Sequence, residues 1–384
     1  MIKLQDSTIG ECCEIIAGQS PEGKYYNSEG KGMPFYQGKK DFGEKFIEEP
    51  RTWTTETSKV ARKSDILMSV RAPVGPVNFA TQDVCIGRGL AAIRSKGTLE
   101  VDFLFYQLLY LQPKIAGKEG AVFDSINKSE IAALPIVVGS LSEQRRIVAI
   151  LDQAFEGIAT AKANTEKNLQ NARELFETSL STIFETSDDV MHLSACATAI
   201  SDGDHAPPPK SPKGVPFITI SNIDKETRQI DFEDTFSVSR EYFDALKPHR
   251  KPKRGDVLYT VTGSFGIPVL VDDDREFCFQ RHIGLIRPTA EIDSRWLMYA
   301  LLSPQVRSQA ESGATGTAQR TVSLSVLRSI TVPKVGLDKQ RRITERLDTL
   351  ADEIGRLKDI VRSKVAALDE LKKSLLHQAF TGQM

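Results

Sequence analysis

The feature that most constrains this chain is that it contains itself twice. LSEQRRI at 141–147 returns as LDKQRRI at 337–343, an offset of 196 residues. The same offset places Leu151-Asp152 on Leu347-Asp348, Ile158 on Ile354, Leu175 on Leu371 and Phe184 on Phe380. Upstream it places Gly120 on Gly316 and Ser125-Ile126 on Thr321-Val322. At slightly shorter offsets GRGLAAIR (87–94) meets QRHIGLIR (280–287), FLFYQLL (103–109) meets WLMYALL (296–302), and RKSDILMSVRAPVG (62–75) meets KRGDVLYTVTGSFG (253–266). PFYQGKKD (34–41) and PFITISNI (216–223) share only their opening. One unit is therefore a variable globular segment followed by a uniform tail. Its period is far too long for a solenoid repeat. The expected organisation is globular 1–140, tail 141–185, globular 186–336 and tail 337–384, two copies making a pseudo-twofold molecule.

The tails read as long amphipathic helices. In the first, Ile147, Leu151, Ala154, Ile158, Ala161, Thr165, Leu169, Ala172, Phe176, Leu180 and Ile183 recur every three or four residues. In the second, Ile343, Leu347, Leu350, Ile354, Leu357, Val361, Val365, Leu368, Leu371 and Leu375 do the same. That is a coiled-coil period sustained over about five heptads. Ser142 and Asp338 stand at expected N-caps and Gly382 at an expected C′ position. About 40 helical residues span roughly 60 Å. Such a stripe must be buried, and the other tail is the natural antiparallel partner. Ile360, Ala367 and Leu376 widen the second stripe beyond a two-helix need, so helices of a partner protein are expected to dock there.

The globular segments read as mixed strand and helix, an α+β fold. DILMSV (65–70), VLYTVTG (257–263), AAIR and GLIR are expected strands, and FLFYQLL and WLMYALL short buried helices. The stretch 201–216 reads as loop, since Pro207, Pro208 and Pro209 exclude regular hydrogen-bonded structure.

Catalytic signatures are missing. Gly18-Gln19-Ser20-Pro21-Glu22-Gly23-Lys24-Tyr25 nearly matches a phosphate-binding loop but ends on Tyr25, with no hydroxyl placed for Mg²⁺ and no helix pattern after it. The E-x-K spacings at Glu22–Lys24 and Glu370–Lys372 read as chance. There is no G-x-S-x-G elbow. The five histidines never pair at ligand spacing, and no Asn/Asp-Pro-Pro-aromatic tetrapeptide occurs. The cysteines are Cys12, Cys13, Cys85, Cys196 and Cys278, odd in number and without a C-x-x-C pair. They fit buried thiols in a reducing cytoplasm rather than disulfides or a zinc site. No apolar run is long enough to span a membrane, and MIKLQDSTIG lacks a signal-peptide core.

Fifty Lys+Arg against 51 Asp+Glu leave a net charge of −1, so nucleic acid can be bound only where positive charge is local. Lys247–Arg254 holds Arg250, Lys251, Lys253 and Arg254. The repeat-equivalent spot carries Arg62-Lys63, and Arg88 aligns with Arg281. Twice-used basic positions on neutral domains suit a localised phosphate-binding face. Lys39, Lys40, Lys210 and Lys213 add loop candidates. Gln37, Lys39, Arg71, Asn222, Arg281 and Arg320 are candidates for reading base edges.

These residues resemble a known family. Two dissimilar globular units, each followed by a near-identical long helix with LSEQRRIVAILD or LDKQRRITERLD, and the ending LDELKKSLLHQAFTGQ, are similar to the specificity subunit of type I restriction–modification systems. KYYNSEGKGMPFYQG, CIGRGLAAIR, GDVLYTVTGSFG and FCFQRHIGLIRP resemble stretches of its target-recognition domains. The resemblance covers essentially the whole chain. It implies a non-catalytic subunit in which each recognition domain reads one half of a split, asymmetric double-stranded DNA target. The helices then fix the spacing and dock two modification subunits through residues such as Ile147, Leu151, Ile158, Leu169, Leu180, Ile343, Leu347, Ile354, Leu357, Leu368, Leu371 and Leu375. S-adenosylmethionine belongs to the modification subunits, which methylate a flipped adenine. ATP and Mg belong to restriction subunits. Two other readings are a specificity subunit of a modification-only complex and a two-headed protein-binding scaffold.

Overall fold

Ile66–Ser69 is a run of four residues, all buried, as a strand covered on both faces must be. It is central to the first of two units into which the chain folds, Met1–Thr165 with Arg362–Met384 and Glu166–Val361. The computed structural model describes residues 4–115, 125–185, 189–205, 208–316 and 320–384. Gly120 and Pro207 lie outside the described residues.

In the first unit Cys13–Ala17 (β1), Ile66–Ser69 (β2), Val77–Phe79 (β3) and Leu90–Ser95 (β4) form an antiparallel sheet in the order β1-β4-β2-β3. In the second unit Ala197–Asp202 (β5), Val257–Thr260 (β6), Pro268–Leu270 (β7) and Ile283–Pro288 (β8) form the same sheet, ordered β5-β8-β6-β7. The register is also shared. Ile66 stands opposite Ile93, and Val257 opposite Ile286. A second sheet in each unit holds one parallel pair, Phe35 against Cys85 and Phe217 against Cys278. The PFYQ and PFIT stretches, alike only at their start, thus build the same strand. Fold class is α+β, with the helices Val101–Ile115 (α1) and Ser294–Leu302 (α2) lying where the two buried helices were expected.

The long helices run Leu141–Ile183 and Leu337–Phe380, roughly 65 Å each. Both begin one residue before the expected caps. Ser140, not Ser142, caps the first, its Oγ accepting the Glu143 N–H at 3.3 Å. Gly336, not Asp338, precedes the second. Gly382 does end the second helix: at φ 74° it lets the Gln383 N–H reach the Gln378 carbonyl at 3.0 Å.

Within each unit the two helices pack antiparallel. In the first, Lys162 pairs with Asp369 and Lys372 lies over the Phe155 ring. In the second, Phe176 and Leu180 share a core with Leu347, Leu350 and Ile354. Ile147, Leu151 and Leu347 are fully buried, each worth roughly 1.5–3 kcal/mol in burial. Ile158 and Leu180 are also buried, while Leu169, Ile343, Ile354, Leu357, Leu368 and Leu375 are partly so. Two expectations shift. Leu371, placed on the seam, is exposed, and Leu376, expected to be free for a partner, is buried in the first unit's core with Phe103 and Phe380.

Candidate nucleic-acid interface

The exposed arginines aligned by the repeat, Arg88 and Arg281, each sit in a turn built by the same backbone bonds. The Gly87 N–H reaches the Tyr36 carbonyl at 2.8 Å, and Gln280 N–H the Ile218 carbonyl at 3.0 Å. The Leu90 N–H closes on Gly87 at 3.0 Å, and Ile283 on Gln280 at 3.1 Å. The Val70 N–H binds the Gly89 carbonyl at 3.0 Å, and Val261 that of His282 at 2.9 Å. Three segments converge there, so side chains must be absent. A Cβ on Gly18 would stand 2.2 Å from the Gly87 carbonyl oxygen, and one on Gly203 1.9 Å from that of Phe279. This explains the near phosphate-loop at Gly18: its glycine serves backbone packing, and Gly23–Tyr25 is one 3-10 turn rather than a helix start.

Around the first turn lie exposed Gln37, whose carbonyl oxygen approaches Gly89, and exposed Arg71, next to the Val70 that binds Gly89. Lys39 and Lys40 follow Gln37 on an exposed 3-10 turn. Ser20, missed in the sequence, accepts the Arg88 N–H on its hydroxyl at 3.3 Å. Around the second turn, the Arg281 N–H binds the Asp204 carbonyl at 3.0 Å. Arg320 is exposed, its carbonyl takes the Gly263 N–H, and its guanidinium donates to the Glu311 carbonyl.

The basic pairs are elsewhere. Arg62-Lys63 and Lys253-Arg254 precede β2 and β6, whereas the arginine turns and Arg71 lie past the far ends of those strands. A four-residue strand separates the two groups by about 10 Å or more. They are exposed, and they stand at the opposite end of the strand from Arg88 and Arg281. Each pair has a local architectural reason. The Asp65 carboxylate accepts the Arg62 N–H at 2.7 Å, and Asp256 accepts that of Lys253 at 2.9 Å.

Other candidates are committed inside the protein. Asn222 is buried. Its Oδ1 caps a 3-10 turn through Thr219 and its Nδ2 donates to the Asp234 carbonyl at 2.8 Å, so the side chain is spent within the fold and buried away from a base. Arg250 pairs with Asp204 at 3.0 Å and so buttresses the loop that holds Arg281. Lys251 donates to the Asp244 carbonyl at 2.9 Å and covers Phe243. Lys210 and Lys213 are exposed at the edge of the second sheet, Lys210 lying 5.0 Å over the Phe236 ring.

Burial pushes the Cys13 and Cys278 thiols up to about 12 and Cys196 to about 11, which makes them poor nucleophiles. All five cysteines are buried and free. No group of His, Cys, Asp and Glu among the described residues could hold a metal ion. No helix among them is long and apolar enough to cross a membrane.

A family model for the type I restriction modification DNA specificity domain matches twice, at residues 1–171 and 185–361. The chain belongs to the type I restriction–modification DNA specificity family. Specificity subunits are non-catalytic DNA-recognition subunits that hold no cofactor of their own. Among relatives, the "Putative type I restriction enzyme MjaX specificity subunit" of Methanocaldococcus jannaschii is 42% identical over 163 residues, 42% of this chain and 38% of that protein. The type I restriction enzyme EcoBI specificity subunit of Escherichia coli is 23% identical over 172 residues, 44% of this chain and 36% of that protein. The matched stretch is thus well under half the length of either relative. A chain from a study of complex assembly and conformational transition of the type I R-M system has a TM-score of 0.79 at 19% identity, covering 99% of this chain and 98% of that one. The HsdS subunit from Thermoanaerobacter tengcongensis gives 0.61 at 18%, covering 99% and 97%. At these identities the two structures speak for the fold.

Proposed function

We propose that this chain is the DNA-reading subunit of a type I restriction–modification complex, each unit reading one half of a split double-stranded target. The observation that carries the reading is the duplicated turn presenting Arg88 and Arg281 on identical backbone bonds amid different neighbours. Arginine is suited to guanine and to phosphate. Gln37 and Arg71 stand by the first turn and Arg320 by the second, so the half-sites are expected to differ. The reading takes 1–140 and 186–336 as target-recognition domains, with 141–185 and 337–384 as spacers. These helices dock two modification subunits, supported by the apolar side chains left exposed on them, Leu175, Ile360 and Leu371. S-adenosylmethionine resides in those subunits, ATP and Mg in restriction subunits that join them, and the complex works in the cytoplasm.

Co-expression with the modification subunit followed by genome-wide mapping of methyladenine tests this. The expected result is methylation confined to one bipartite, asymmetric sequence. Absence of methylation from an assembled complex would overturn it.

A further inference from the structure

In the second unit, an open cavity of about 430 Å³ lies between the turn 224–229 and the loop 262–266, bordered by Lys225, Arg228, Ser264, Phe265 and Arg307. The turn is rigidly built. The Asp224 carboxylate accepts the N–H of Glu226 at 2.9 Å and of Thr227 at 2.6 Å, and the Asp224 carbonyl accepts the Arg228 N–H at 2.9 Å. Arg228 is held at φ 55°, a left-handed conformation that a residue with a side chain adopts only at a cost. The guanidinium is half-buried and desolvation lowers its affinity for a proton, yet among the described residues it has no hydrogen bond and no carboxylate partner. Aspartates border a second cavity on its other flank, Asp231 and Asp272 among them, but none is within ion-pair distance.

Lys225 is also uncompensated here, donating at 3.0 Å to the Ser264 hydroxyl and to no carboxylate. Arg307 and Glu311 also line the cavity, and they neutralise each other in an ion pair at 3.1 Å. Two unneutralised cations, one of them partly desolvated, thus meet beside a hydroxyl. A desolvated cation is unfavourable until an anion completes it. The loop opposite turns on Gly263 and Gly266, at φ 69° and 93°, and between them Ser264 and Phe265 line the cavity. In the first unit the equivalent loop reads Ala72-Pro73-Val74-Gly75, with proline where Ser264 stands.

We propose that this cavity binds one phosphate group, held by Arg228 and Lys225. The proposal deepens the DNA reading and rests on it in one respect: the phosphate is assigned to the DNA backbone, while a free phosphate offers the same chemistry. Such a contact is independent of base sequence.

Fluorescence anisotropy with the full chain assembled with modification subunits, on the mapped target duplex across a salt series, is the deciding measurement. Arg228→Gln and Lys225→Gln are each expected to weaken binding roughly threefold to tenfold and to flatten the log–log salt slope by about 0.9. Arg228→Lys keeps the charge and should retain the slope, which separates lost charge from lost folding. Variants with the parent's affinity and slope overturn a DNA-phosphate site while leaving the DNA reading intact. A parent that does not bind the duplex overturns that reading instead. The second arm is thermal unfolding of the full chain with inorganic phosphate. A phosphate-dependent rise in Tm, lost in both glutamine variants, supports the site with a free-phosphate source. No rise in the parent, together with no effect on DNA, overturns the site altogether.

Discussion

Arg94 grips Asp65 across neighbouring strands with two charge-assisted bonds, 2.8 and 2.7 Å, and Arg287 grips Asp256 in the same way at 2.9 and 2.7 Å. Both aspartates are buried, and each also takes the N–H of a basic residue just before the strand. The pair ties the start of the central strand to the end of its neighbour. Removing the arginine leaves a buried carboxylate without a counter-charge. Arg94→Ala and Arg287→Ala are each expected to lose about 3 kcal/mol from the unit that carries them. Urea unfolding followed by tryptophan fluorescence measures this. A loss under about 1 kcal/mol would show the pairs to be incidental.

Gln144 and Gln340 give the QRR motif a physical meaning. Gln144 is buried, donates to the carbonyls of Thr98 and Gly139 at 2.9 Å each, and accepts the Glu100 N–H at 2.7 Å. Gln340 does the same with Glu291, Val335 and Asp293. Each glutamine pins the first turn of a long helix to the loop that starts α1 or α2. Replacement by alanine leaves three backbone groups unpaired, so Gln144→Ala and Gln340→Ala should each cost about 2–4 kcal/mol. Hydrogen exchange should speed up first in the segments 96–101 and 288–294. Unchanged protection there would refute the tether.

Ser64 and Gly255 occupy the same place ahead of β2 and β6, and both are left-handed, at φ 71° and 91°. Left-handed backbone costs a residue with a side chain about 1–2 kcal/mol, part of which glycine gives back as chain entropy. Ser64→Gly should therefore raise stability by up to about 1 kcal/mol, and Gly255→Ala should lower it by about 1–2 kcal/mol. The Cβ added at Gly255 meets only the Ser294 hydroxyl, at 3.3 Å, so sterics add little. Thermal unfolding of the two variants checks the opposite signs.

What could be read from the residues alone follows from how local each signal is. The long helices were legible because their apolar period runs through more than forty residues without a proline. The central strands were legible from apolar runs repeated at one offset. The start of the first long helix is less legible, because Ser140 and Ser142 look alike as caps. The interface was read less well, because whether a polar side chain is free depends on partners distant in sequence. Asn222 is spent on Asp234, twelve residues away, and Arg250 on Asp204, forty-six away. Alignment groups Arg62-Lys63 with Arg88 because it records recurrence and not which end of a strand a residue occupies. Arg228 is not legible at all, since neither its left-handed backbone nor its missing partner has a sequence signature.

The thiols offer a direct test of the interior. Cys13 and Cys278 are pushed up to about 12 and Cys196 to about 11, in each case mainly by burial. Thiolate is the reactive form, so at pH 8 these groups are almost entirely protonated. Mass spectrometry after brief iodoacetamide treatment should find these three unlabelled in native protein and all five cysteines labelled in denaturant. Fast native labelling of Cys278 would contradict the parallel pairing of its strand with Phe217.

The sharpest functional prediction compares the two ends of the sheets. If the arginine turns read DNA, Arg88→Ala should weaken target binding by about tenfold and relax the sequence at one half-site only, and Arg281→Ala should do so at the other. The double variants Arg62→Ala with Lys63→Ala, and Lys253→Ala with Arg254→Ala, remove more charge but from the opposite strand ends. They should leave half-site preference unchanged and alter affinity less than either turn variant. The distinction is carried by geometry, because by charge alone the basic pairs should matter more. Methyladenine maps from cells expressing each variant, with binding measured at two salt concentrations, separate the cases. Relaxed specificity from the basic pairs, with none from Arg88 or Arg281, would move the reading face to the other end of both sheets.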